Sequence, residues 1–404
     1  MHKLNSWSPL HFLAALGAGG MSVAFLMMLM FWVPHPNRSM PAYEYLVAHA
    51  AQGGIGEVLV YAVSAIIAFL LITHFRLMYF NFKQYKMAKA DGRIDKILGT
   101  NAHTQLLAMP LASAMSINGL FIAGSLFIPG LWEVAEYLFP LAVLGFAVLG
   151  YWALKLYFGF IAAVFHKKSF KKEMNGSLAQ MLPAFTFGMI AVGFAATVVF
   201  SHNLGLVTFA MAASIFFLVA TALVALLKLV IGFNDLFEHG ATPMALPTLW
   251  VLIPTITVSG IAVLRLDHGL THTLLENVQA GNHLVFLTTL FSLQVFIGLM
   301  GYAVMRRMGY FQQLVASTKN DINGSPVAFA LICPGVAITV MSYFFMNLAL
   351  VNNGLLVKFS VSYFAMLTPV TIIQLLTVWV LFRLLKQQLK GGFKEDREVV
   401  ATVA

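Results

Sequence analysis

Charge is scarce in this 404-residue chain: Asp, Glu, Lys and Arg together make up 10% of it, against 60% apolar residues. A soluble domain carries roughly 25% charged and 45–50% apolar residues. A water-soluble globule of this composition would lack the polar surface to cover its core, which excludes a cytosolic enzyme, a nucleic-acid-binding domain and a disordered scaffold. Cysteine is rarer still. Cys333 stands alone, so an intrachain disulfide framework and a zinc site of several thiolates are ruled out. Also missing are a G-x-S-x-G elbow, a P-loop and any metal-ligand box. The GAGG cluster at Gly17–Gly20 lies inside an apolar run, where a phosphate has no aqueous access, so it reads as helix packing. No catalytic residue, cofactor, metal ion or nucleic-acid partner is expected.

What the chain does have is long apolar runs. A membrane helix needs about 20 mostly apolar residues. Ten stretches qualify: Leu10–Val33, Gly56–Tyr79, Thr104–Ile128, Tyr137–Phe165, Leu178–Phe200, Leu204–Phe233, Ala245–Leu264, His283–Met305, Pro326–Leu350 and Val361–Leu385. They predict an all-α integral membrane protein with one transmembrane domain over residues 1–385 and a polar tail over 386–404. Basic residues at the predicted ends divide nineteen to three, with only Arg38, Arg265 and Lys358 on the poorer side. The positive-inside rule therefore puts both termini in the cytoplasm, and an even number of spans requires them to share a side.

Odd and even spans differ. Pro110, Pro183, Pro254 and Pro334 recur once per pair of spans, in the segments PLASAMSING, PAFTFGMIAVG, PTITVSG and PGVAITVMS. A proline inside a helix removes a donor and kinks it. In lipid such a break is tolerated where it is buried in protein or lines a wet cavity. The pattern predicts five helical hairpins, with kinked odd helices inside and plain even helices outside.

No carboxylate lies deep in a predicted span; Glu57, Glu133 and Glu136 sit at ends. Proton- or sodium-coupled transport usually relies on an intramembrane carboxylate or histidine, so the pattern favours anion passage without a carboxylate relay. The odd spans, as bounded above, also contain no lysine or arginine, which predicts a neutral pore. Its polar lining is expected from Ser22, Ser113, Asn118, Thr186, Thr257 and Thr339. An alternative for such hydroxyls is a bond to the carbonyl one turn earlier. His11 and His103 begin the first and third spans and are expected to border a cytoplasmic vestibule. Two alternatives use the same histidines: a redox subunit holding haem or quinone, and a proton-coupled anion transporter. Lys155 and Lys228 lie in even spans and read as snorkelling cations. Cys333 reads as a buried, inert thiol.

In order, SPLHFLAALGAGGMSVAF, MPLASAMSING, MLPAFTFG, VLIPTITVSGIAV and PVAFALICPGVA resemble the odd helices of the tellurite-resistance/dicarboxylate transporter family. This family contains TehA-type proteins, fungal malate and sulfite transporters and slow anion channels. The resemblance implies five hairpins around a pseudo-fivefold pore, a homotrimer with one pore per protomer, and a small anion as substrate, inorganic or dicarboxylate. It also implies a bacterial inner-membrane location. The family's pore is commonly closed by a phenylalanine from the ninth helix. Here Leu331, Cys333 and Pro334 stand where that aromatic is sought, so the constriction candidates are Phe185, Phe187, Phe329, Leu331 and Phe344.

Overall fold

The computed structural model describes residues 7–36, 38–167, 178–270, 283–316 and 320–390. Lys3, Lys168, Lys171, Lys172, Lys319, Lys394 and Arg397, all part of the charge count, lie outside the described residues, as does the tail over 391–404. Among the described residues the chain is all-helical, with ten helices long and apolar enough to cross a membrane. They are α1 (Pro9–Trp32), α2 (Gly54–Ala90), α3 (Asn101–Phe127), α4 (Ala135–His166), α5 (Ala179–Phe200), α6 (Leu204–His239), α7 (Pro243–Gly269), α8 (Leu284–Arg307), α9 (Pro326–Val351) and α10 (Val361–Leu389).

Several boundaries depart from the hydropathy runs, and three of them have a direct physical reason. α2 has 37 residues, about 55 Å at 1.5 Å per residue, against a hydrocarbon core of about 30 Å. The excess length falls on the C-terminal turns that carry Lys83, Lys86 and Lys89, beyond the apolar run. α7 continues past Leu264 to Gly269, because helical hydrogen bonding does not stop where the apolar run is interrupted by Arg265, Asp267 and His268. α10 runs on to Leu389, closing with a π-type turn over Lys386–Lys390, so the first residues of the expected tail are helical.

The prolines are also used differently from the expectation. Each odd span opens with a 3-10 stretch: Pro9–His11, Asn101–Leu107, Ala179–Met181, Pro243–Trp250 and Pro326–Leu331. The α-helical part then starts at Phe12, Ala108, Leu182, Leu252 or Ile332. Pro110, Pro183, Pro254 and Pro334 fall in the second or third position of that α-helical part. There the missing N–H is one of the first-turn donors that lack an α-helical partner, and the 3-10 turn before it has ended the stricter geometry. They stand just after the switch from 3-10 to α geometry, at the start of the α-helical part and not in its middle.

Burial separates the two sets of helices. In their most apolar stretch the odd spans are 56% to 89% buried, and the even spans 22% to 39%. α1 packs on α3, α3 on α5, α5 on α7, α7 on α9 and α9 back on α1. Each odd helix also packs on the even helix that follows it. The 3-10 stretches touch their neighbours as well, and the step from α5 to α7 is bridged by the Leu178 N–H donating to Thr248 Oγ1 at 2.9 Å. The result is a collar at the N-terminal ends of the odd helices. At the opposite end Trp32 Nε1 donates to the Tyr363 hydroxyl at 3.1 Å, and that hydroxyl donates to Asn347 Oδ1 at 3.2 Å, tying α1, α9 and α10 together.

Candidate functional site

A cavity of about 480 Å³ lies among the odd helices and is lined by all five of them. Its walls include Gly17 and Gly20 from α1, Met115 and Asn118 from α3, Phe185 and Met189 from α5, Thr257 and Arg265 from α7, and Cys333 and Phe344 from α9. A second, smaller cavity of about 40 Å³ lies against the collar, with Leu10, Leu182, Val251 and Val327 in its walls. Phe185, Pro254 and Cys333 line both. These three residues are the septum between the wide space and the narrow one.

Glycine makes the close approach of α1 possible. A Cβ on Gly17 would stand 2.7 Å from Ile332 Cγ2, and one on Gly19 would stand 2.6 Å from Met115 Cγ. Both are closer than real Cβ contacts, so the GAGG run packs α1 against α9 and α3, in line with its reading from sequence.

The constriction candidates separate cleanly. Phe185 belongs to the septum and Phe344 lines the far half of the large cavity. Phe187 is fully buried and points outward, against Tyr157 and Phe217 of the even helices α4 and α6. Phe329 is also fully buried, 6.1 Å from the His11 ring. Leu331 is buried in the collar. Neither cavity is lined by Phe187, Phe329 or Leu331.

The polar candidates separate in the same way. Asn118 and Thr257 line the large cavity. Ser22 donates to Gly19 O, Ser113 to Met109 O and Thr339 to Gly335 O; Thr186 donates to Leu107 O and Leu182 O. None of these four lines either cavity, and each hydroxyl is taken by a carbonyl one turn back or on a neighbouring helix.

The two histidines are buried and line neither of these cavities. His11 is buried and its Nδ1 accepts the Ser8 N–H at 3.2 Å. His103 is buried and its Nδ1 accepts the Gly99 N–H at 3.1 Å. Each caps the start of its own span, and neither lines a cavity. A histidine that the sequence did not mark, His74 on α2, is fully buried. Its ring joins Ala15 O at 2.7 Å and Ser116 Oγ at 2.9 Å, stitching α2 to α1 and α3. Lys228 donates to Gln180 Oε1 at 2.7 Å and stands over the Phe160 ring, so it is held at a helix contact; Lys155 is exposed.

The main difference from the sequence reading is Arg265. The cavity is not neutral: Arg265, four residues from the end of α7, lines it. Its Nη1 donates to Val192 O of α5 at 2.9 Å. Helical side chains lean towards the N-terminus of their own helix, which carries the guanidinium inward. Val192 is eight residues short of Phe200, about 12 Å along the helix from that end. Among the described residues no carboxylate lies within ion-pair distance of Arg265. Arg38, His268 and His283 complete a basic mouth to the same cavity, moderated by Asp267 at 3.8 Å from His283 Nε2. Comparison with protein-family models returns no match for this chain, and comparison with curated proteins returns none either.

Proposed function

We propose that the protein carries small anions across a membrane through the space between its odd helices. In this reading the helices form five hairpins around a pseudo-fivefold pore, in the manner of the tellurite-resistance/dicarboxylate transporter family that the odd-span motifs resemble. Both termini face the cytoplasm of a bacterial cell, and the apolar faces of the even helices meet lipid or the neighbours in a homotrimer. The protein is a transporter or channel and not an enzyme. One observation carries the reading: a single cavity walled by all five odd helices holds an arginine with no carboxylate partner among the described residues. A cation in a low-dielectric wall is costly unless something negative compensates it, and a passing anion supplies that charge. The bond to Val192 O takes part of the guanidinium's donor capacity, which keeps anion binding weak enough for release.

The test is anion flux into proteoliposomes. Chloride, nitrate, sulfite and malate are compared with empty liposomes, with and without a pH gradient, in wild type and Arg265→Gln. Flux of at least one anion that falls several-fold in the variant is expected. Absence of flux for every anion would overturn the proposal, and strict dependence on the pH gradient would replace a channel with a coupled transporter.

A further inference from the structure

An anion that uses the cavity must satisfy its walls as well as its arginine. Between Arg265 and the septum the surface includes Met115, Met189, Val258, Ile261 and Val336. Thr257 also lies there, but its Oγ1 is already engaged with Ile253 O and Ala337 O and accepts from Gln294 Nε2 at 2.6 Å. Asn118 contributes an amide whose Nδ2 faces Met189 Sδ at 3.9 Å. The inner half of the space therefore offers one amide and otherwise apolar carbon and sulfur.

The volume lies within the range of small-molecule pockets, roughly 300–1,000 Å³. A bare inorganic ion on Arg265 would leave most of it to water that lacks the two to four polar partners a buried water needs. A dicarboxylate held on Arg265 and reaching inward would place its second charge against methionine and valine, with a desolvation cost that Asn118 alone cannot offset; further basic groups meet it only at the mouth, beside Arg38, His268 and His283. A carboxylate with an apolar body satisfies both ends. Its headgroup takes the free edge of the guanidinium fork in a charge-assisted pair. Its body lies along the methionines, whose flexible thioethers fit varied shapes and contact aromatic rings favourably. From the level of Val192 down to Phe185 is seven residues of α5, room for a body about 10 Å long.

We propose that the ligand class of this cavity is the monovalent organic anion, a monocarboxylate with one apolar aromatic or short-chain body, bound with its carboxylate on Arg265. The proposal rests on the reading of the cavity as the anion path and narrows it to a substrate class.

The experiment is saturable binding of radiolabelled phenylacetate to the full-length protein in nanodiscs, with competition by unlabelled octanoate, chloride, nitrate and malate. Octanoate is expected to compete at concentrations at least tenfold below those of chloride, nitrate or malate. Arg265→Gln is expected to weaken phenylacetate binding about tenfold or more, the range for hydrogen bonds to a charged group, while Arg265→Lys retains part of it. Met189→Gln, which keeps the cation and puts an amide in the wall, is expected to weaken phenylacetate several-fold and leave nitrate competition unchanged. No saturable binding, stronger competition by malate or chloride, or binding indifferent to both Arg265→Gln and Met189→Gln would each overturn the assignment. Flux measured on the same preparations separates the two levels. If nitrate or chloride moves and phenylacetate does not bind, the substrate class falls and the transport reading stands. If phenylacetate binds through Arg265 and no anion moves, the site stands and the transport reading falls.

Discussion

Phe185 and Phe187 are two residues apart on α5, about 200° around the helix axis, and that angle gives them different work. Phe185 stands between the two cavities, whereas Phe187 is wedged against Tyr157 and Phe217. Phe185→Ala is expected to raise anion flux several-fold with a modest loss of stability, because one side of the ring already faces empty space. Phe187→Ala is expected to cost about 3–5 kcal/mol, the usual range for a buried Phe, without raising flux. Equal changes in flux from the two variants, set beside their unfolding temperatures, would show that the septum is not the barrier. Outside the spans, Glu44 accepts the Gly130 N–H at 2.7 Å. That bond chiefly, then one from its own N–H, hold its carboxyl below the ordinary value, with the Arg38 charge adding a smaller pull. Since the folded value is the lower one, its contribution is present above the ordinary carboxyl pKa and is lost as pH falls through the folded value. Glu44→Gln is therefore expected to melt slightly below wild type at neutral pH, with the gap closing as pH falls through the folded value, the small size reflecting an exposed group. A gap that widens in acid would contradict the assignment.

At the level of elements, much was legible and the omissions have causes. Ten spans follow from apolar runs alone, because lipid demands length and composition and little else. The inner character of the odd helices was visible in the recurrence of a proline among small residues once per pair of spans, and not in any one span, since the outer helix α4 also holds Pro140, Gly145 and Gly150. The 3-10 collar was not visible, because 3-10 and α turns draw on the same apolar residues, and a proline suits a first turn as well as a kink. In Pro326–Leu331 the change of rise from about 1.5 to about 2.0 Å per residue extends the six residues by about 3 Å, and this brings the chain to its neighbours in the collar. Arg265 was hidden because the apolar run ends at Leu264 while the helix does not. Which face of α5 points inward was hidden because both faces are apolar. Helix contact also makes a prediction. A side chain at Gly19 would meet Met115 Cγ and, at 2.9 Å, His74 Nδ1, whose ring holds Ala15 O. Gly19→Val should cost about 1–3 kcal/mol as overpacking and lower the unfolding temperature in detergent. An unchanged temperature would mean that α1 is not held between α2 and α3 as described.

The molecule as a whole is asymmetric along the axis of its odd helices. The wide cavity opens among their C-terminal ends, beside Arg38, His268 and His283, and the collar narrows the space at their N-terminal ends. Cys333 is the one cysteine of the chain and belongs to the septum, so the protein carries its own probe at the boundary. A small thiol-specific methanethiosulfonate applied from the side poor in basic residues has the wide cavity before it. From the basic side it meets the apolar collar first, where a narrow dry passage opposes anything charged. Modification followed by mass spectrometry in vesicles of both orientations should therefore be faster from the basic-poor side. Arg265 lies on that route, so a negatively charged reagent should outpace a positively charged one of similar size, and Arg265→Gln should abolish the difference, since the nearby cation raises the local concentration of anions. Phe185→Ala should speed reaction from the basic side by removing the ring between Cys333 and the collar. Equal rates from both sides in wild type would mean that the collar does not obstruct passage. Faster reaction from the basic side would reverse the direction in which the cavity opens, and with it the face from which an anion first meets Arg265.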